Sequence, residues 1–222
     1  MEVGVLGPTQ VRRGNDLVDL GTRKQRGLLA ALSLYAGKPV STDAIIDLLW
    51  ADDPPATVTG TLQAYVSGLR RSLEPSRGRR APSALLVTVG SGYALRIPPD
   101  QLDAGRFTAI VSAQHQRLGS VAALVPQPSA RARPDRSALQ DAVDELDAAL
   151  ALWRGEPYGG LSVNELLDIE GLRLRELYAS GLRPAGWLGF RVLLDAYRAA
   201  EMAGLVSVSL LGWRSAMEVS ER

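Results

Sequence analysis

The chain has 222 residues, 46% hydrophobic and 22% charged, which is enough apolar content for a packed core and argues against global disorder. Without cysteine and with a single histidine, His115, it excludes disulfides, thiolate nucleophiles and cysteine zinc sites and leaves imidazole chemistry almost nothing. The net charge of +1 hides an asymmetry: residues 1–97 hold twelve Lys/Arg against eight Asp/Glu, and residues 98–222 hold thirteen against sixteen. A basic front joined to an acidic rear points to a nucleic-acid module attached to something else. The start MEVGVLGPTQV has no basic segment followed by an apolar one, so it does not read as a signal peptide. The most apolar charge-free stretch, Met202–Trp213, is shorter than the ~20 residues a bilayer span needs. A cytoplasmic protein with no membrane partner is expected.

Val3–Leu6 and Thr9–Arg12 read as short strands around the turn Gly7-Pro8, and Leu17–Leu20 follows a second turn at Gly14-Asn15-Asp16. Thr22 is placed to cap a helix whose buried side is Leu28, Leu29, Leu32 and Tyr35, with Gly37 ending it. Ser41 or Thr42 caps the next, with Ile45, Ile46, Leu49 and Trp50 apolar. Asp52-Asp53-Pro54-Pro55 cannot continue that helix and makes an acidic loop.

A third helix is predicted over Ala56–Leu73. Leu62, Val66, Leu69 and Leu73 form one buried stripe, flanked by Tyr65. The opposite face holds Gly60, Gln63, Ala64, Ser67, Gly68 and Arg71, with Arg70 at its edge and Thr61 nearby. Small polar residues permit close approach to a surface, and Gln and Arg match base edges and phosphates. Arg77, Arg79 and Arg80 follow in a loop, then a hairpin of Leu85–Val89 and Tyr93–Ile97 around Gly90-Ser91-Gly92. Taken singly, such a helix face or arginine loop is ordinary solvated surface. Gly90-x-Gly92 joins strands and opens no helix, so it is no dinucleotide fingerprint. The order decides: strands, three helices, the third with a basic exposed face, a basic loop, a hairpin. That is a winged helix-turn-helix, with the third helix in the major groove and the hairpin wing on the neighbouring backbone.

The run LLAALSLYAGKPVSTDAIIDLLWADDPPATVTGTLQAYVSGLRRSLEP, followed by LLVTVGSGYAL, resembles the DNA-binding domain of the Streptomyces antibiotic regulatory proteins. These are pathway-specific transcription activators, related through this domain to OmpR/PhoB-type response regulators. The resemblance implies that Ala56–Leu73 is the recognition helix. It also implies that Trp50–Ala56, with Trp50, Asp52, Asp53, Pro54 and Pro55, is a loop contacting RNA polymerase. Gly68 departs from the pattern, standing where members commonly carry Arg; Gly there weakens a helix interior by about 1 kcal/mol relative to Ala.

Ile97-Pro98-Pro99 breaks the hairpin pattern and marks a domain boundary. Beyond it, Asp103 precedes a helix with Phe107, Ile110, Val111, Leu118 and Val121 apolar; His115 lies in it as an ordinary helix residue. Pro126–Asp135 reads as a loop. Leu139, Val143, Leu146, Leu150 and Trp153 make a second stripe, accompanied by Asp141, Asp144, Glu145 and Asp147. Those carboxylates lie along a helix and do not converge from a shaped loop, so a solvated face is the better reading than a metal site. After Leu161 a further helix carries Leu167, Leu172, Leu174 and Leu177. FTAIVSAQ, ALALWRGEPYGGL and RLRELYASGL resemble the bacterial transcriptional activator domain that follows the winged helix in the same family, an array of helix pairs similar to tetratricopeptide repeats.

The expected architecture is therefore an α+β winged helix over 1–97, an all-α tetratricopeptide-like domain over 98–182, and a divergent tail over 183–222. Helical arrays bury apolar faces against neighbouring repeats. The apolar segment Leu205–Trp213 either covers the Leu139–Trp153 and Leu167–Leu177 stripes or promotes self-association; partial cover with weak homodimerisation is expected. No P-loop, zinc-protease signature, nucleophile elbow or Ser/His/Asp set occurs, so neither an enzyme nor a cofactor is expected. Two readings remain: a transcription activator binding double-stranded promoter DNA and RNA polymerase, and a helical scaffold whose winged helix no longer binds DNA.

Overall fold

The computed structural model describes residues 1–51, 53–78, 80–123, 136–160 and 165–182. Asp52, Arg79, the loop Pro126–Asp135, Leu161 and the tail 183–222 lie outside the described residues, as do the side chains of Leu118, Val121 and Leu139. The chain forms two units, Met1–Arg106 with Trp153–Arg175 and Phe107–Leu152 with Glu176–Arg222.

In the first unit, β1 (Glu2–Gly4), β2 (Gln10–Arg13) and β3 (Asp16–Leu17) form an antiparallel sheet in that order, with Val3 opposite Val11 and Arg12 opposite Leu17. The first strand is shorter than Val3–Leu6 because the next two amides leave the sheet. Val5 and Leu6 both donate to the Asp103 carboxylate, at 2.8 and 3.1 Å. The third strand also stops early: Leu17 is 62% exposed, whereas Leu20 is buried.

α1 (Arg23–Leu34) opens with a capping box. The Thr22 hydroxyl accepts from the Gln25 amide, and Gln25 Oε1 accepts from the Thr22 amide. Leu28, Leu29 and Leu32 are buried and Tyr35 is half-buried. A two-residue strand, β4 (Val40–Ser41), precedes α2 (Thr42–Trp50); Ser41 ends the strand and caps the helix, accepting from Ala44 at 3.2 Å. α3 (Val58–Leu73) starts two residues after Ala56, with Thr57 at its N-cap contributing no side-chain bond. β5 (Leu86–Val89) and β6 (Gly92–Leu95) form the hairpin, in a sheet ordered β4-β6-β5. Gly92 is obligatory there: a Cβ on it would collide with the Val40 carbonyl across the β4–β6 pairing. Arg13 ties β2 to α3, donating to the Ser72 and Leu73 carbonyls at 3.2 and 2.9 Å, where the helix end leaves acceptors free.

This unit also holds residues 98–106 and 153–175, which the sequence assigned beyond the boundary at residue 97. Asp103, 5% exposed, is the reason. Besides Val5 and Leu6, its carboxylate accepts from Ala104 at 2.8 Å and from Arg154 Nη2 at 3.0 Å. Arg154 also donates from its backbone to the Leu6 carbonyl and from Nη1 to the Pro8 carbonyl, and Tyr158 donates its amide to Val5. Tyr158 is buried, with its backbone at φ +58. Burial, reinforced by the Glu170 and Asp103 charges against Arg173, pushes its hydroxyl above the usual tyrosine range. A buried carboxylate with four donors is well satisfied, and removing it strands all four.

α4 (Asp103–Ala123), α5 (Arg136–Leu150) and α6 (Glu165–Leu182) supply the helical part. In the second unit Phe107, Val111, Ala142, Val143, Leu146 and Ala149 are buried. Buried Gln114 donates to Glu145, which also pairs with Arg117 at 3.7 Å, and Gln140 donates to Asp144 at 2.7 Å. No cluster of three or more metal-ligating side chains occurs among the described residues. No helix among them is long and apolar enough to cross a membrane.

Leu172 corrects the expected stripe of the last helix. Leu167 and Leu174 are buried, but Leu172 is 51% exposed, beside exposed Leu166 and Ile169. At 100° per residue, Leu174 returns to the side of Leu167 while Leu172 lies about 140° away.

Asp103→Ala should cost about 3 kcal/mol in urea denaturation, because it leaves Arg154 and the Val5, Leu6 and Ala104 amides without their acceptor. A loss under about 1 kcal/mol would mean that water replaces the carboxylate.

Candidate nucleic-acid interface

α3 is fixed in rotation by what it buries. Leu62, Val66, Leu69 and Leu73 are 1%, 1%, 0% and 3% exposed. The remaining circumference is held on two sides. On one, Trp50 at the end of α2 stacks on Tyr65, ring centres 6.1 Å apart and planes within 6°. Lys24 of α1 lies 5.3 Å from the Trp50 ring and donates to the Leu49 carbonyl. On the other, Arg70 bolts the wing to the helix: Nε donates to the Leu86 carbonyl and Nη2 to the Thr88 hydroxyl, both at 2.8 Å, with Tyr93 5.8 Å from the guanidinium.

Between these supports, Gly60, Gln63, Ala64, Ser67 and Arg71 are exposed, while Thr61 and Gly68 are half-buried. The Thr61 hydroxyl donates back to the Thr57 carbonyl at 3.1 Å. Arg70 is half-buried, its hydrogen bonds directed to the wing. Beyond the helix, Arg77 donates to the Ala81 carbonyl and lies 3.8 Å from Glu74, and Arg80 is exposed. A groove of about 1140 Å³ runs between the end of α3, the following loop and the wing, lined by Ser67, Arg70, Arg71, Arg77 and Arg96 among others. Arg96, exposed just past β6, did not stand out in the sequence because a lone arginine after a strand has no pattern.

Glu74 organises the loop. Its carboxylate accepts from the Ser83 hydroxyl and from the Ala84 amide at 2.8 Å. Burial alone would raise its pKa, but hydrogen bonds from Ser83, Ala84 and Leu85 and the charge of Arg77 together bring it below the ordinary 4.5. In the loop between α2 and α3, Asp53, Pro54 and Pro55 are exposed, and Ala51 turns the chain at φ +49. Trp50 is the exception among the residues expected there: it is half-buried in the Lys24–Trp50–Tyr65 stack.

The family described as transcriptional regulatory protein, C terminal, matches residues 16–95, and that described as bacterial transcriptional activator domain matches residues 121–203. The chain is 34% identical over 155 residues to the transcriptional regulatory protein EmbR of Mycobacterium tuberculosis, covering 70% of this chain and 35% of EmbR. It is 33% identical over 162 residues to the regulatory protein AfsR of Streptomyces coelicolor (72% of this chain, 14% of AfsR). Against the transcriptional regulator RedD of the same organism it is 33% identical over 155 residues (70% and 39%). The chain therefore spans well under half of each of these relatives. A solved structure, Mycobacterium tuberculosis EmbR in complex with a low-affinity phosphopeptide, superimposes with a TM-score of 0.68 at 27% identity, covering 91% of this chain and 50% of that one.

Glu74→Gln tests the loop by pH. A carboxylate whose folded-state pKa is depressed stabilises the fold above its unfolded value, and the contribution is lost as pH falls through the folded value. Urea denaturation at a series of pH values should show wild type more stable than the variant above 4.5, with the gap closing as the pH drops further. A constant gap would show that Ser83 and Ala84 bind the neutral carboxyl equally well.

Proposed function

We infer, from the Streptomyces antibiotic regulatory protein family to which this chain belongs, that it is a sequence-specific DNA-binding transcription activator of secondary-metabolite genes. The observation that carries the reading is the outward face of α3: small, polar, basic at Arg71, and bordered by a wing that Arg70 holds in place. A helix of this kind fits the major groove, and a hairpin beside it reaches the adjacent backbone. Gln63, Ser67 and Arg71 face the bases, with Gly60 and Ala64 allowing close approach and Thr61 nearer the phosphates. Arg70 acts chiefly through the wing. Arg77, Arg79 and Arg80 contribute sequence-independent backbone attraction at most.

The loop containing Asp53, Pro54 and Pro55 serves transcription instead of DNA affinity. Its carboxylates would be repelled by phosphate, and two prolines stiffen it beside the recognition helix, which suits a basic surface of RNA polymerase. The protein works in the cytoplasm, on the chromosome. Weak homodimerisation completes the reading, with Ile169 and Leu172 as exposed apolar side chains.

Operator binding by Gln63→Ala and Arg71→Ala should fall by about 1–3 kcal/mol for each lost base contact, with relaxed preference at one base pair. Unchanged affinity and preference in both would place the helix the other way round. Asp53→Ala should lower transcription in vitro while leaving operator binding intact; equal loss of both would assign the loop a folding role. Salt-dependent binding of a promoter duplex separates all of this from a helical scaffold that ignores DNA.

A further inference from the structure

We propose that Gln25, on α1 and not on the recognition helix, is a further DNA-contacting residue, its carboxamide nitrogen donating to a backbone phosphate beside α3. This rests on the DNA-binding reading above and adds a contact to it.

The geometry comes from a missing side chain. A Cβ built on Gly68 would collide with Gln25 Nε2, so the amide of α1 lies where a side chain of α3 would begin. Gly68 is one helical turn from Ala64 on one side and from Arg71 on the other, and both are exposed. The Gln25 nitrogen therefore borders the outward face on the side opposite the wing.

Gln25 does two things with two atoms. Oε1 closes the capping box, accepting from the Thr22 amide at 3.0 Å and the Thr22 hydroxyl at 3.1 Å. A glutamate would do that as well, so the nitrogen is surplus to capping. Among the described residues Nε2 has no hydrogen-bond acceptor, while Gln25 is only half-buried. Its two N–H groups accept no proton and carry no charge; they fit an oxygen acceptor. Arg23 and Arg26 are exposed on the same turn of α1, and Arg71 is exposed one turn along α3 from Gly68. Against one nearby carboxylate, Asp19, which accepts from the Gly21 amide, these three charges favour an anionic acceptor. On a duplex lying along α3, that is a phosphate oxygen. The capping box holds the amide in one orientation before DNA arrives, which lowers the entropy lost on contact.

The test uses the full chain and an operator duplex defined by footprinting, with single phosphates replaced in turn by neutral methylphosphonates. Gln25→Ala should weaken binding about fivefold. One methylphosphonate should weaken wild type by a similar factor yet leave Gln25→Ala no weaker than it already is. Gln25→Glu keeps the capping box and should melt at the wild-type temperature or above, yet bind DNA more weakly than Gln25→Ala because a carboxylate then faces the phosphate. Wild-type binding that is matched by Gln25→Ala, or losses that simply multiply at every phosphate, would overturn this contact alone. A wild-type chain that binds no duplex would overturn the DNA-binding reading, and this contact with it.

Discussion

One side of α3 decides what the other side can do. Burying Leu62, Val66, Leu69 and Leu73 contributes about 1.5–3 kcal/mol per side chain relative to leaving each in water. Turning the helix by a single residue would put Gln63 or Arg70 into that core, where an unpaired charged or amide group costs more than the apolar contacts return. The rotation is thus set before any ligand arrives. Trp50 stacked on Tyr65 and Arg70 hydrogen-bonded to the wing then hold it from both flanks. A helix locked this way offers a fixed set of groups, and pre-set geometry is what sequence discrimination needs.

The frame behind that helix depends on a second constraint, the buried Asp103 carboxylate. It takes the amides that end β1 and the guanidinium of Arg154, so residues well past the hairpin become part of the unit that carries the wing. Arg13 passes the connection on, from β2 to the last carbonyls of α3. The N-terminal sheet is thereby clamped at both edges of its function: to the helix that faces outward and to the segment around Arg154 and Tyr158.

Local chemistry was legible in the sequence, and contacts across the chain were not. The Thr22 and Ser41 caps, the apolar stripe of α3 and the Gly90-Ser91 hairpin each follow from spacing within a few residues, and each is where that spacing puts it. β4 escaped notice because two residues cannot show alternation. Asp103 and Arg154 are ordinary charges until folding brings Asp103 to Val5, 98 positions away, and Arg154 to Asp103, 51 positions away. Leu172 shares a helix with Leu167 and Leu174, but its angle around the helix axis places it outside their stripe. Gly68 looked like a weakness of the helix interior; the structure shows Gln25 occupying the space that it leaves.

The proposed function turns on which surface meets DNA, and the absence of cysteine makes that directly measurable. Single-cysteine variants Ala64→Cys, on the outward face of α3, and Ala113→Cys, exposed on α4, can each be alkylated with and without saturating promoter duplex. The predicted result is strong protection of the thiol at position 64 by duplex, with the thiol at position 113 reacting at the same rate throughout. Equal alkylation of the position-64 thiol in the presence and absence of bound duplex would contradict the account, because the outward face of α3 would then lie open while DNA is held elsewhere.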